Sequence, residues 1–210
     1  DVLFSVSGLR SRGEDLHFDY GAAGVSGVAA GQDAERDGEF FGRIARGAWS
    51  FELAYGNRRK KDPTAAYFSD PLVPVDYFQD SYGLAQLQYQ DMFAGNTLQV
   101  LGRVFAGRYR YAGSFIYGTP FDFPAEGDWR GTEWRAVSTA LAGHKLMLGF
   151  EAQDNVRTDQ SVLDRADPAN NFTIPQSGSR VGLYAQDEWR IGETLIATLG
   201  FRVDHNGKTG

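Results

Sequence analysis

The sequence predicts an all-β fold: antiparallel hairpins in a meander, forming part of a transmembrane β-barrel. Three observations carry this. Apolar and polar residues alternate with period two in stretch after stretch, the mark of strands with two unlike faces. In Arg180–Arg190, Val181, Leu183 and Ala185 fall on one face, and Gly182, Tyr184, Gln186, Glu188 and Arg190 on the other. In Thr194–Asp204, Leu195, Ala197, Leu199, Phe201 and Val203 share a face. Long polar segments also alternate with turns of a few residues, the plan of a barrel with long loops on one side of a membrane. Finally, charge collects on the face opposite the apolar one.

Composition bounds the possibilities. The chain has 210 residues, 42% hydrophobic and 14% aromatic, enough for one large β domain. Mean hydropathy is -0.39. No run approaches the roughly 20 apolar residues of a membrane helix, and a barrel needs none, since only every second residue meets lipid. The net charge of -6 disfavours nucleic acid as a partner. Cysteine is absent, which excludes disulfides, thiolate metal sites and a cysteine nucleophile. The chain opens DVLFSVSG, already strand-like, with no signal peptide. It is therefore expected either to have lost a leader or to be a piece of a longer protein.

About nine strands follow from the alternation. The first is Val2–Arg12, followed by the long segment Gly13–Gly38, rich in Gly and Ala and then in charge. Glu39–Arg46 and Trp49–Arg58 form a hairpin around Gly47–Ala48; Trp49, Phe51, Leu53 and Tyr55 share a face. Arg59–Ser81 reads as a long loop because Pro63, Pro71 and Pro74 have no N–H to give a ladder. Tyr82–Phe93 and Thr97–Tyr111 flank a turn at Ala94–Asn96. The aromatic segment Ala112–Gly127 reads as a third outer loop. Asp128–Leu141 and Lys145–Gln153 flank Ala142–His144, Asp154–Ser179 is the last long loop, and the two strands described first complete the series.

Charge decides which face meets lipid. An Arg or Lys at mid-bilayer on the lipid face costs about 2–4 kcal/mol. The face bearing Gln86, Arg103, Glu151, Glu188 and Arg202 is therefore expected to look inward. Trp49, Tyr89 and Trp189 lie near the short turns, where an interfacial aromatic girdle belongs. Asp187 is awkward, since it shares a face with Leu183. The competing reading is a soluble β-sandwich that binds glycan or protein, which also gives alternating strands. It does not explain alternating long and short connections. A small complete barrel is a third reading.

Several segments resemble the barrel of TonB-dependent outer-membrane receptors: RRKKDPTAAY (Arg58–Tyr67), YRYAGSF (Tyr109–Phe115), GDWRGTEWR (Gly127–Arg135), HKLMLGFEAQDN (His144–Asn155) and LYAQDEWRIGETLIATLGFRVDH (Leu183–His205). They occur in that family's order and cover most of the chain. The resemblance implies a 22-stranded, plugged barrel in the bacterial outer membrane, taking up a scarce ligand such as a ferric siderophore or cobalamin. It implies a transporter and no enzyme, with TonB, a plug domain, membrane lipid and lipopolysaccharide as partners, and no cofactor. The sequence departs from the family in having no plug, no TonB box and no terminal aromatic strand, ending instead at HNGKTG. An odd strand count also cannot close with both termini on one side. Residues 1–210 are therefore expected to be an internal part of the barrel domain, with the plug absent.

Candidate site residues follow from this orientation. Arg58, Arg59, Lys60 and Lys61 form the densest charge run; they suit an anionic chelate or lipopolysaccharide phosphates, or simply a solvated loop base. Tyr67, Phe68, Tyr77, Phe78, Phe115, Tyr117 and Phe121 are expected in outer loops, lining a ligand or packing loop on loop. Arg103, Glu133, Arg135, Glu151, Glu188, Arg190 and Arg202 are expected to face the lumen as an ion-pair ladder. Asp164, Asp167, Asn170 and Asn171 match no EF-hand spacing. His17, His144 and His205 are scattered. There is no HExxH, P-loop or GxSxG motif, so no catalytic residue and no metal ligand is assigned.

Overall fold

The computed structural model describes residues 1–209. It is a single antiparallel layer. Twelve strands are present: β1 (Val2–Ser11), β2 (Leu16–Asp19), β3 (Ser26–Ala29), β4 (Glu35–Arg46), β5 (Trp49–Lys61), β6 (Tyr77–Phe93), β7 (Leu98–Tyr117), β8 (Thr119–Ser138), β9 (His144–Asp164), β10 (Phe172–Ile174), β11 (Ser177–Ile191) and β12 (Leu195–Thr209). The main sheet runs β1-β4-β5-β6-β7-β8-β9-β11-β12, with β10 added on β9 and β2–β3 as a separate hairpin. The nine strands of this path are the nine expected. The path is open, since β1 and β12 do not pair with each other.

Register turns the alternation into two continuous faces. Direct pairs such as Val6↔Phe40, Phe40↔Tyr55, Leu53↔Ala85 and Leu87↔Val104 put apolar residues side by side across β1 to β7. Trp134↔Phe150, Phe150↔Leu183 and Leu183↔Val203 carry the same face to β12. Among the described residues nothing covers this apolar face. Leu199 and Phe201 are 79% and 68% exposed, and among the described residues the only buried hydrophobics are Ala29, Leu101 and Phe115. A β-sandwich buries such a face under a second sheet, and among the described residues the only other sheet is the two-stranded β2–β3.

At the short-turn end, aromatic pairs edge this face. Trp49 lies directly opposite Tyr89, with ring centroids 5.0 Å apart. Trp189 stacks on His144 at 5.4 Å. His144 also resolves the awkward acid: its Nδ1 lies 2.8 Å from Asp187 Oδ2. Asp187 is thus hydrogen-bonded where the polar end of the sheet begins.

The long-connection end corrects the sequence reading. Ala112–Gly127 is not a loop. β7 and β8 run on to Tyr117 and Thr119, paired directly across Gly118. Arg59–Lys61 and Tyr77 likewise belong to β5 and β6, and β9 continues to Asp164. Along the extended stretch of β7 and β8 the aromatics gather on the ionic side while Arg110, Ser114 and Asp122 stand on the other, so the usual two-face contrast is lost. The hydrogen-bond ladder, which depends on the backbone alone, is not. Long and short connections therefore do not alternate strictly, and the β7–β8 connection is the tightest of all.

Gly118 has φ +72°, open to glycine at no steric cost. Its N–H donates to Asp70 Oδ2 at 2.6 Å, tying the hairpin tip to the 62–76 connection. Gly118→Ala is expected to lower stability by about 1–2 kcal/mol. Gly38→Ala, where the added Cβ meets nothing within 4 Å and φ is not positive, is expected to change it far less. Thermal unfolding of the two variants in detergent checks the difference.

Candidate functional site

The seven ionic residues expected to line a lumen share one face. Arg103 lies directly opposite Glu133, and their ion pair closes at 2.6 Å. Glu133 faces Glu151, a like-charge pair that would be unfavourable alone. Each carboxylate has its own cation, since Arg202 reaches Glu151 Oε2 at 3.0 Å and also Asp204 at 2.7 Å. To do so Arg202 crosses over β11. Gly182 makes the crossing possible: a Cβ there would come within 2.8 Å of the guanidinium. Arg135 pairs across the strands with Leu101 and Gly149, Glu188 with Lys145 and Thr198, and Arg190 with Ile196, all on the same face.

Farther along the same face, toward the long connections, aromatic side chains gather. Phe78, Phe115 and Phe123 come from three neighbouring strands; Phe115 lies 5.1 Å from Phe78 and 5.9 Å from Phe123. Tyr117 and Phe121 meet at 5.8 Å. Tyr67 descends from the 62–76 connection onto Phe115 at 5.6 Å. Phe115, 1% exposed, is the centre on which the others rest. Of the seven aromatic candidates, Tyr67, Phe78, Phe115, Tyr117 and Phe121 are thus brought together. Tyr77 is not, because register places it on the apolar side of the sheet opposite Lys61 and Ser114.

The 62–76 connection is held by its carboxylates. Asp62 accepts from the Thr64 N–H at 3.0 Å, the Thr64 hydroxyl at 2.6 Å and the Ala66 N–H at 2.7 Å. Tyr67 and Phe68 adopt left-handed backbone, φ +58° and +64°, unfavourable for such side chains. The result presents Phe68 to solvent, 94% exposed, beside the aromatic cluster.

The cationic run is divided by the period of two. Arg58 and Lys60 lie on the ionic face and are already engaged: Arg58 pairs with Glu35 at 2.6 Å, and Lys60 with Asp33. Arg59 and Lys61 lie on the opposite face, where the Arg59 guanidinium sits 3.8 Å from the centroid of the Tyr77 ring. One ionic centre escaped the sequence reading. Arg108, Arg110 and Arg157 converge on Asp128, at 2.8 to 2.9 Å. Alternation in RYRY (Arg108–Tyr111) was its signal for two of them. The third depends on a register shift beside Asp128 that sets Arg157 opposite it. Among the described residues no group of three or more His, Asp or Glu could hold a metal ion. Asp164 instead accepts from the Ala166 and Asp167 N–H groups, closing a turn.

The fold defines a class: an open, single-layer antiparallel wall with one apolar and one ionic face and an aromatic cluster at one end. The model of the family described as TonB dependent receptor-like, beta-barrel matches residues 14–210, and the chain belongs to that family. Comparison with curated proteins and with solved structures returns no match.

Two carboxylates in the connections respond to pH with opposite sign. The hydrogen bond from Lys60 holds Asp33 below its ordinary 3.8. Its contribution is complete at neutral pH and is lost as pH falls through the lowered value. Burial raises Asp76, only 2% exposed, above 3.8, and one of its oxygens has no partner. The folded state therefore binds that proton more readily, and the 62–76 connection gains stability as pH falls through the raised value. Amide protection factors on acidification are expected to fall around Asp33 and rise around Asp76. In Asp76→Asn the second trend is expected to vanish.

Proposed function

We propose that this chain is a length of the barrel wall of an outer-membrane TonB-dependent receptor, part of a 22-stranded barrel that holds a plug. On this reading the receptor takes up a scarce ligand such as a ferric siderophore or cobalamin. The observation that carries it is the uncovered apolar face of the main sheet, continuous from β1 to β12. In water such a surface is a liability; in a bilayer it is the lipid contact. On β12, Leu195 to Val203 spans roughly 27 Å along the strand, close to the length that crosses a bilayer at a tilt.

The ionic face then looks into the lumen. Its ladder of Arg103, Glu133, Glu151 and Arg202, with Arg135, Glu188 and Arg190, forms a wetted wall against which a plug can lie. Strands of 20 and 21 residues overshoot the membrane at the long-connection end. There Tyr67, Phe68, Phe115, Tyr117 and Phe121 offer an apolar platform at the mouth, suited to capture of a small molecule or metal chelate. Transport would draw on TonB, and no step of it asks for bond chemistry from this wall.

The absence of native cysteine makes a direct test simple. Single cysteines at Leu53, Leu183 and Phe201 are expected to resist a membrane-impermeant maleimide and to sense a lipid-borne quencher. Cysteines at Gln86, Glu151 and Tyr184 are expected to do the reverse. Equal labelling of both faces in outer-membrane vesicles would discard the wall reading. Leu199→Arg is expected to destabilise by about 2–4 kcal/mol, and Thr198→Arg, opposite Glu188, to cost little, as read from unfolding in detergent micelles.

A further inference from the structure

Arg10, Arg36 and Arg59 stand in direct register, one on each of β1, β4 and β5. All three are exposed, on the apolar side of the sheet. Like charges directly opposite one another destabilise a sheet, and here no acid neutralises them. Among the described residues no carboxylate lies within ion-pair distance of any of the three; the nearby Glu35 is engaged on the other face by Arg58 and Lys60. Together with Arg12 and Lys61 they line a cleft of about 520 Å³ in which Glu35 is the one acid. The cleft is partly pre-set. Tyr77 braces Arg59 from below the guanidinium, and Lys61 Nζ donates to the Gly31 carbonyl at 3.0 Å. Five cations in one cleft, on a chain of net charge -6, is a local design rather than a basic surface.

What lies below the row on the same face identifies its ligand. Gly8, Gly38 and Asn57 come first, then Val6, Phe40 and Tyr55, then Phe4, Gly42 and Leu53. From Arg10 to Val6 is roughly 13 Å along the strand. A ligand matching both parts carries phosphates at one end and acyl chains at the other.

We propose that this cleft binds the phosphate groups of a phosphorylated lipid of the surrounding outer leaflet, whose chains lie along the apolar residues beneath. The site faces away from the lumen and is separate from ligand capture at the mouth. Arg10, Arg36 and Arg59 hold the phosphates; Arg12, just past β1, and Lys61, at the end of β5, close the cleft. The assignment rests on the wall reading, but it can fail while that reading stands.

The test uses the intact receptor in phosphatidylcholine nanodiscs containing a minor fraction of bisphosphorylated lipid A, or the same lipid dephosphorylated. Native mass spectrometry reads the lipid retained on extraction. Retention of the phosphorylated form is expected to exceed that of the other by about tenfold. The triple variant Arg10→Gln, Arg36→Gln, Arg59→Gln is expected to abolish the preference, while Arg58→Gln, on the opposite face, is expected to keep it. Removing the row relieves repulsion, so the triple variant is expected to fold; Arg36→Gln, at the centre, serves alone if it does not. Equal retention of both lipids, or a preference untouched by the variants, overturns the proposal. Displacement of the lipid by millimolar inorganic phosphate overturns the lipid assignment in favour of a free anion. The single-cysteine map of the two faces is read on the same samples. An intact map with no lipid preference removes this site alone.

Discussion

The rest of the structure depends on one constraint: a strand that faces hydrocarbon must bond its polar backbone groups to neighbouring strands. A single layer meets it by pairing along the sheet. The pleat then sends successive side chains to opposite sides, and the two environments sort them. Everything functional here is a consequence of that sorting. The ion-pair ladder of Arg103, Glu133, Glu151 and Arg202 survives because each carboxylate of the ladder meets a cation across the strands. Conversely, Asp187, on the apolar face, is tolerable because it sits beside the turn with His144 at 2.8 Å.

How far the sequence could be read follows from the same sorting. The nine strands of the main sheet were legible because their two faces contrast: from Leu195 to Val203 only Ile196 breaks the alternation. Toward the long connections that contrast ends. Tyr109 to Phe123 keeps its aromatic residues on the ionic side and sets Arg110, Ser114 and Asp122 on the other, and Ala112–Gly127 looked like a loop although the ladder continues through it. The cationic run misled for a related reason. Read as a block, Arg58–Lys61 is one patch; paired in register, it is two half-patches on opposite faces, with different partners. The arginine row of Arg10, Arg36 and Arg59 was beyond reach from sequence, since no local pattern announces which residues stand opposite across strands far apart in the chain.

Glycine has a particular part in a wall without a core. Side chains here cannot interdigitate with an opposing layer, so they lie along the sheet and need vacant positions to lie over. Arg202 passes over Gly182 to reach Glu151, and Trp129 lies over Gly107 so closely that a Cβ there would meet the indole at 2.2 Å. Contacts that a packed domain would make between layers are made within one.

The β7–β8 hairpin has a mechanical consequence. A flexible loop of equal length would sample many shapes and would pay conformational entropy on meeting a ligand. A paired ribbon of 20 residues on each side, pinned at its tip through Gly118 and Asp70, has paid that cost in folding. Its aromatic residues stand at a set height above the sheet before any ligand arrives. On the function proposed above, such a ribbon would work as a rigid arm, trading breadth of recognition for a smaller loss of freedom at the moment of capture.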